Sequence, residues 1–255
     1  MRKTRVSLFL FLFLFAAAAC AQDANPGRPT VATPATLTPT GYVQFETGVL
    51  SSENSPGLAN QFGVNEVIKF APTSRLEFIV QNQPFVHTDL GPARTNDPDD
   101  VSLGLQAVLV TGTKKRPTIA VSYFHRVYEG TAPDLDIGSN SQSAIFLIST
   151  DVLGFHIDTN AMFNEQLENA VRRAQFGQTL SIAHGLPHKL GLGGELWHFT
   201  QPFLNGNAVG FLFGPTYTPK KNLVFDVGFN RGLTSTSTRW EVFAGFTYLL
   251  PKKLL

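Results

Sequence analysis

The amino-acid sequence predicts an all-β protein: a transmembrane antiparallel up-and-down β-barrel of about 12 strands, preceded by a signal peptide. Three observations predict this fold class. Apolar and polar residues alternate along nearly every segment, a secretion signal begins the chain, and the connections between segments alternate between short and long. Bacterial outer-membrane barrels combine these features, because their strands face lipid on one side and a polar lumen on the other.

The alternation is clearest in the last two predicted strands, residues 223–231 and 239–250. Successive side chains of a strand point to opposite faces of the sheet, so residues two positions apart share a face. In the final strand, the apolar face carries Trp240, Val242, Ala244, Phe246, Tyr248 and Leu250. The opposite face carries Arg239, Glu241, Phe243, Gly245, Thr247 and Leu249. We expect the first face to contact lipid and the second to face the lumen.

The same pattern gives about 12 candidate strands, many of them near the roughly 9–11 residues that a tilted strand needs to cross a bilayer. They cover residues 41–50, 61–71, 75–83, 100–111, 118–128, 142–150, 155–165, 172–183, 189–199, 208–218, 223–231 and 239–250. Three residues depart from the pattern. Glu66 and Lys69 have opposite parity within one strand, which predicts a bulge or an interfacial position for one of them. Pro215 lies in mid-strand and predicts a bulge or a local break.

The connections indicate how the barrel is oriented. Short connections are predicted at residues 72–74, 112–117, 151–154, 184–188 and 219–222. Longer or more polar connections are predicted at residues 51–60, 84–99, 129–141, 166–171, 201–207 and 232–238. Outer-membrane barrels have short periplasmic turns and longer outer loops. With an even number of strands, the amino-terminal and carboxy-terminal ends of the chain are then both predicted to lie in the periplasm.

The amino-terminal region divides into two predicted segments before the barrel at residues 41–255. Residues 1–21 form a predicted signal peptide, with a basic start followed by an apolar run that is too short for a membrane helix. Cys20 is the single cysteine, and the sequence around it allows either removal with the signal peptide or lipidation. Residues 22–40 contain prolines and no apolar periodicity, which predicts a flexible periplasmic leader acting as a linker rather than as a plug.

Composition and motifs argue against several classes of function. Charged residues make up 15% of the chain and the formal charge is +1, so the sequence shows no basic surface for nucleic acid. The chain contains no G-x-S-x-G motif. His156 and Asp158 share one strand face but provide only half of a zinc site. We therefore predict no catalytic residue, no cofactor and no metal, and we expect the protein not to be an enzyme.

The strand parity assigns a set of polar residues to the barrel lumen. This predicted lumen-lining set consists of Glu46, Glu77, His156, Asp158, Arg173, Glu195, Asp226, Arg239 and Glu241. Two roles fit these residues. They line a water-filled path and select solutes by charge, as charged rings do in pores, or they pair with one another and fill the interior of a small barrel.

Three stretches also carry a resemblance to a known family. They are RPTVATPATLTPTGYVQFETG at residues 28–48, KFAPTSRLEFIV at residues 69–80 and FDVGFNRGLTSTSTRWEVFAGFTYLL at residues 225–250. Together they resemble the bacterial MetA-pathway of phenol degradation family of outer-membrane proteins, whose first strand carries the E-T-G that is Glu46-Thr47-Gly48 here. The resemblance implies an outer-membrane barrel that takes up small solutes, with aromatic or hydrophobic molecules among the candidates. It assigns no site residues.

The sequence thus predicts a porin-like channel for passive passage of small solutes in the cell outer membrane. The alternatives are a closed structural or surface-interaction barrel without transport and, less favoured, a membrane hydrolase. The predicted partners are outer-membrane lipid and lipopolysaccharide, the outer-membrane assembly machinery and a small-molecule solute. The sequence does not identify that solute or the oligomeric state.

Overall fold

The computed structural model describes residues 22–56, 60–90, 93–133 and 139–255, and the predicted signal peptide at residues 1–21 lies outside them. The described chain is almost entirely antiparallel β-structure. Its strands are β1 (Val43–Glu53), β2 (Asn60–Thr73), β3 (Leu76–Asp89), β4 (Arg94–Asp97), β5 (Val101–Val110), β6 (Thr118–Tyr128), β7 (Ser139–Val152), β8 (Phe155–Glu168), β9 (Val171–Gly185), β10 (Leu190–Gln201), β11 (Gly206–Lys220), β12 (Leu223–Gly232) and β13 (Trp240–Leu249). A 3-10 turn, Pro187–Lys189, precedes β10. None of the described helical segments is long and apolar enough to cross a bilayer.

The strands close into a barrel. Neighbours along the chain pair with each other, β1 pairs with β13, and β2 pairs with β3, so the sheet returns to its starting point. The short strand β4 only extends the far end of β3, which leaves a closed antiparallel barrel of 12 wall strands, as predicted. Closure gives every wall strand two neighbours, so the backbone N–H and C=O groups can pair within the sheet where no water is available.

The two ends of the barrel differ. One end, here called the short-turn end, carries the connections at residues 74–75, 111–117, 153–154, 186–189 and 221–222. The opposite, long-loop end carries the connections at residues 54–59, 90–100, 129–138, 169–170, 202–205 and 233–239. The connection between β8 and β9 is shorter than predicted, because both strands continue until only two residues, 169 and 170, remain between them.

The main difference from the predicted strands lies in β3. This strand runs through Pro84 to Asp89, in a region that the sequence assigned to a loop. The register with β2 shifts here, since Val64 faces Phe85 whereas Glu66 faces Asn82. The strand can contain Pro84 because the bulge takes up the residue that cannot donate a hydrogen bond.

The other irregular positions behave as predicted. Lys69 faces Gln44 and is buried inside the barrel, whereas Glu66 faces Thr47 on the outer side, beside the β2–β3 bulge. Pro215 pairs with Leu192 of β10. On its other side, the ladder to β12 skips Gly214 and Pro215 without a change of register, which is a local break rather than a bulge.

The two faces of the wall differ in chemistry. Large apolar side chains such as Leu105, Val227 and Val242 are exposed on the outer face, whereas inward positions such as Gln44, Gln106 and Thr247 are polar and buried. An exposed apolar belt around a barrel is stable only in an apolar solvent. We conclude that the outer face contacts the bilayer and that the polar face lines a lumen.

The free-energy cost of a charged side chain on the lipid-facing surface should depend on how deep in the bilayer the residue lies. Leu105 lies in the middle of β5, and Leu109 lies on the same face near the short-turn end. We expect Leu105→Lys to lower the free energy of unfolding from lipid vesicles by about 2–4 kcal/mol and Leu109→Lys by only about 0–1 kcal/mol. Denaturant titrations of both variants in the same vesicles measure the difference. Equal costs would contradict the assigned position of the bilayer.

Candidate functional site in the barrel lumen

Residues 22–40, here called the leader, lie inside the barrel. Ala32, Ala35 and Thr38 are buried, with exposed fractions of 1%, 0% and 2%. The leader contacts inward-facing side chains of the wall rather than extending away from it as a flexible periplasmic linker. The predicted linker is therefore corrected to a segment docked in the lumen.

The leader lies where it does because its backbone N–H groups need hydrogen-bond acceptors. Proline at positions 26, 29, 34 and 39 removes N–H groups and prevents a regular strand. The N–H groups of the remaining residues still need acceptors once they are buried. Because the leader does not pair with the wall as a strand, wall side chains supply many of these acceptors, whereas Ala24 donates to the backbone carbonyl oxygen of Lys221 at 2.8 Å.

Three wall carboxylates accept hydrogen bonds from the leader backbone. Glu195 accepts from the amides of Val31 and Ala32, both at 2.8 Å. Glu77 accepts from the amide of Thr38 at 2.7 Å. Glu46 accepts from the amide of Gly27 at 3.1 and 3.2 Å. These three side chains bind the leader at separate points along its length, so together they determine where it lies.

Neutral side chains complete the contacts. The amide oxygens of Gln44 and Asn160 accept from Asn25 N–H at 2.8 Å and Thr33 N–H at 2.7 Å. Their NH₂ groups donate in return to the carbonyl oxygens of Asn25 and Thr33, at 2.7 and 2.9 Å. The hydroxyl of Ser149 accepts from Ala35 N–H at 2.7 Å. The sequence analysis did not predict these residues as part of the site, although each has the inward parity of its strand.

Arg28 is the only cation in the leader, and a notch in the wall holds it. Its guanidinium donates to both carboxylate oxygens of Asp226, at 3.2 and 3.1 Å. Gly48 and Gly245 face each other across β1 and β13 beneath it. A Cβ atom at Gly48 would lie 2.4 Å from the guanidinium, and one at Gly245 would lie 2.7 Å from it. Both positions therefore need glycine for Arg28 to reach Asp226.

A second ion pair compensates the negative charge of Glu46, which lies near the start of β1. The Lys69 Nζ lies 2.5 Å from Glu46 Oε1, and both side chains are buried. Gln44 also donates to Glu46 at 2.9 Å. Because a buried carboxylate without a partner is costly, these contacts allow Glu46 to stay inside the barrel and bind the leader.

His156 joins two carboxylates at the short-turn end. Its Nδ1 lies 2.8 Å from Asp151 and its Nε2 lies 3.2 Å from Asp158. The two ring nitrogens point in opposite directions, so the carboxylates do not converge on one point. No group of three or more His, Cys, Asp or Glu residues suited to a metal ion occurs in the part of the chain that the structure describes.

The same cluster is not arranged for nucleophilic catalysis. The hydroxyl of Ser149 donates to Asp158 and accepts from the leader, so it does not bond to the ring of His156. A serine nucleophile needs a base within hydrogen-bond reach. In this cluster, the serine instead connects the wall to the leader.

The remaining predicted lumen residues lie towards the long-loop end. Glu241 accepts from Asn230, which in turn accepts from the indole N–H of Trp197 at 2.7 Å. Arg173 is exposed and donates to the carbonyl oxygen of Pro202 at 2.6 Å. Arg239 precedes β13 and is exposed. The structure therefore brings Glu46, Glu77, Asp158, Glu195 and Asp226 together around the leader and leaves Arg173 and Arg239 at the rim.

The docking of the leader can be tested with a single introduced thiol, since Cys20 is the only cysteine and precedes the leader. We expect Ala32→Cys in the chain 22–255 to react slowly with a water-soluble maleimide. Adding Glu195→Ala removes two hydrogen bonds, each worth about 0.5–1.5 kcal/mol, so labelling should accelerate at least about fivefold. Glu165→Ala is the control, because Glu165 bonds to Ser141 and Arg172 instead. Equal labelling in all three backgrounds would contradict the role of Glu195.

Solved structures with the same fold are outer-membrane barrels. An outer membrane channel from Pseudomonas putida F1 superposes with a TM-score of 0.62 at 11% identity, with 89% of this chain and 100% of that chain covered. The NanC porin has a TM-score of 0.55 at 7% identity, and the KdgM porin has a TM-score of 0.52 at 10% identity. Both comparisons cover 81% of this chain and 98% of the porin. At these identities, the likeness shows the fold alone.

Sequence comparison gives the family. No curated protein matches the chain significantly. A family model does match, and it covers residues 26–250, from within the leader to the end of the barrel. The first-strand E-T-G and the final hairpin lie within this range, in agreement with the resemblance in the sequence. The chain therefore belongs to the family described as "Putative MetA-pathway of phenol degradation".

Proposed function

We propose that the protein is an outer-membrane channel for passive passage of small solutes, and that the docked leader narrows its lumen. The observation that carries this proposal is the set of wall carboxylates that hold the leader. Glu46, Glu77 and Glu195 accept its backbone amides, and Asp226 holds Arg28. A segment held in the lumen by side chains, rather than paired with the wall as a strand, narrows the polar interior and can restrict what passes.

The proposal is supported by the wall chemistry and by the similar structures. The apolar outer belt fits outer-membrane lipid, and the polar inner face fits a water-filled path. The channel and the porins described above have the same fold. Contacts with lipopolysaccharide and with the outer-membrane assembly machinery are part of the proposal, as is removal of residues 1–21 on export.

Residues 129–133, which follow β6, lie over the other end of the lumen. Gln61, an inward residue of β2, donates to the carbonyl oxygen of Pro133 at 2.7 Å, which places Pro133 above the lumen. Asp100 holds the start of this segment, because it binds Arg126 and the amide of Gly130, each at 2.9 Å. In this proposal, charges on the lumen wall and the position of residues 129–133 determine selectivity.

One observation favours a closed barrel as the second candidate. Inward side chains such as Gln106, Leu147 and Thr247 have exposed fractions of at most 1%. These values show that parts of the lumen are filled, as expected for a small barrel that serves a structural or surface-binding role. The two candidates differ in one measurable property, which is ion current through the refolded barrel.

We expect the refolded chain 22–255 to give small discrete current steps in a planar bilayer. Glu195→Ala should raise the mean conductance, because the leader loses its bonds at Val31 and Ala32 and leaves the narrow region more often. Glu165→Ala on the outer face should conduct like the unchanged chain. Correctly inserted protein that carries no current in any of the three forms would exclude the channel and favour the closed barrel.

A further inference from the structure

The leader does not fill the lumen evenly. A cavity of about 650 Å³ lies between the leader and the wall formed by β8 to β12. It extends from turn residues Gly154 and Lys221, at the short-turn end, to Asp158 and Gly193 further inside. We infer that solutes pass the leader through this cavity, here called the side passage, and that it accepts small amphipathic solutes without net charge. This inference rests on the proposed channel function and specifies its route.

The side passage exists because the wall has short side chains on this side. Ser181 and Ala183 of β9 and Gly191 and Gly193 of β10 line it. Their side chains project little into the lumen, so the wall lies further from the leader. On the opposite side, by contrast, Gln44 and Glu77 reach the leader and bond to it directly. On the wall of the side passage, the leader bonds to β10 and β8 deeper in the lumen, through Glu195 and Asn160. The free space therefore lies beside the leader at the short-turn half of these strands.

Gly193 gives the most direct measure of this free space. It faces inward in line with Glu195, and a Cβ atom added to it would meet no atom closer than 3.8 Å, the nearest being the Cβ of Ala183. A side chain can thus enter the passage at this position without a clash. Glycine is not needed there for close packing, in contrast to Gly48 and Gly245 beneath Arg28.

The lining of the passage gives the class of solute. Pro26, Pro29 and Pro34 line it on the leader side, whereas Ser181 and Thr216 present hydroxyls on the wall side. A solute with one apolar face and one hydrogen-bonding face matches both surfaces. The volume is within the range of about 300–1,000 Å³ that small-molecule sites occupy.

The charges around the passage are largely compensated. Arg28 pairs with Asp226, Lys221 pairs with Asp23, and His156 lies between Asp151 and Asp158. Lys189 donates to the carbonyl oxygen of Pro219 at 2.7 Å. With paired charges of both signs along the lining, the passage has no strong preference for anions or cations. We therefore assign it to solutes without net charge.

Substituted cysteines can test the route, since the chain 22–255 contains no cysteine of its own. Gly193→Cys places a thiol in the side passage. Gly194→Cys is the matched control, because this neighbour faces outward beside Phe213 and also has room for a side chain, with no atom closer than 3.7 Å. We expect a water-soluble methanethiosulfonate reagent to reduce the single-channel current of Gly193→Cys and to leave that of Gly194→Cys unchanged. Mass spectrometry measures the extent of modification.

The other outcomes of this experiment distinguish a failure of the side passage from a failure of the proposed channel function. A current that persists at full strength after complete modification of Gly193→Cys, or a thiol there that does not react, overturns the side passage and leaves the channel intact. Absence of current in the unmodified chain overturns the proposed function and this inference with it. Cationic and anionic reagents should modify Gly193→Cys at similar rates. A preference for one sign of more than about tenfold, which is about 1.4 kcal/mol, overturns the assignment to uncharged solutes.

Discussion

Backbone hydrogen bonding is the constraint on which the rest of this structure depends. In the wall, each strand lies between two others, so its N–H and C=O groups are paired where lipid offers no partner. Inside the lumen, the leader cannot join the sheet, because four of its residues from 22 to 40 are prolines. Seven of its remaining amides donate to wall side chains instead. The same requirement thus produces a regular sheet on the outside and a set of individual contacts on the inside.

The leader in turn makes a polar interior stable. Carboxylates buried in a narrow barrel are costly unless charges or donors compensate them. Glu195 has two backbone amides, Glu46 has Lys69 and an amide, and Asp226 has Arg28. Wall and leader therefore stabilise each other, since the acids need the donors of the leader as much as the leader needs their oxygens.

This mutual dependence links the fold to the proposed channel. The strong contacts are concentrated near β1, β3 and β12, together with Glu195 at the middle of β10, and the short side chains lie on β9 and on the short-turn half of β10. The leader narrows the lumen without filling it, because small residues on β9 and β10 leave free space beside it at the short-turn half. In the proposed channel, the size of the residues at these positions determines how large a solute can pass.

The sequence by itself determined the wall. A period of two along each strand fixes which side chains face lipid, and each of the 12 predicted strands is confirmed by the structure. Local signals also identified Glu66, Lys69 and Pro215 as irregular positions, because parity and the missing N–H of proline act within one strand. Which of Glu66 and Lys69 faces inward was decided by the structure. The same parity identified Glu46, Glu77, Glu195 and Asp226 as lumen residues before their partners were known.

Only the tertiary structure decided what those residues bind. The contacts that join Ala32 to Glu195 and Arg28 to Asp226 connect positions far apart in the chain, which the closed barrel brings together. A proline-containing segment without periodicity looks the same in sequence whether it is a linker or a docked leader. Its position depends on acceptors that several different strands bring together, and no local pattern records that arrangement. Sequence therefore determined the barrel and its inward residues, whereas the closed fold determined the site that they form.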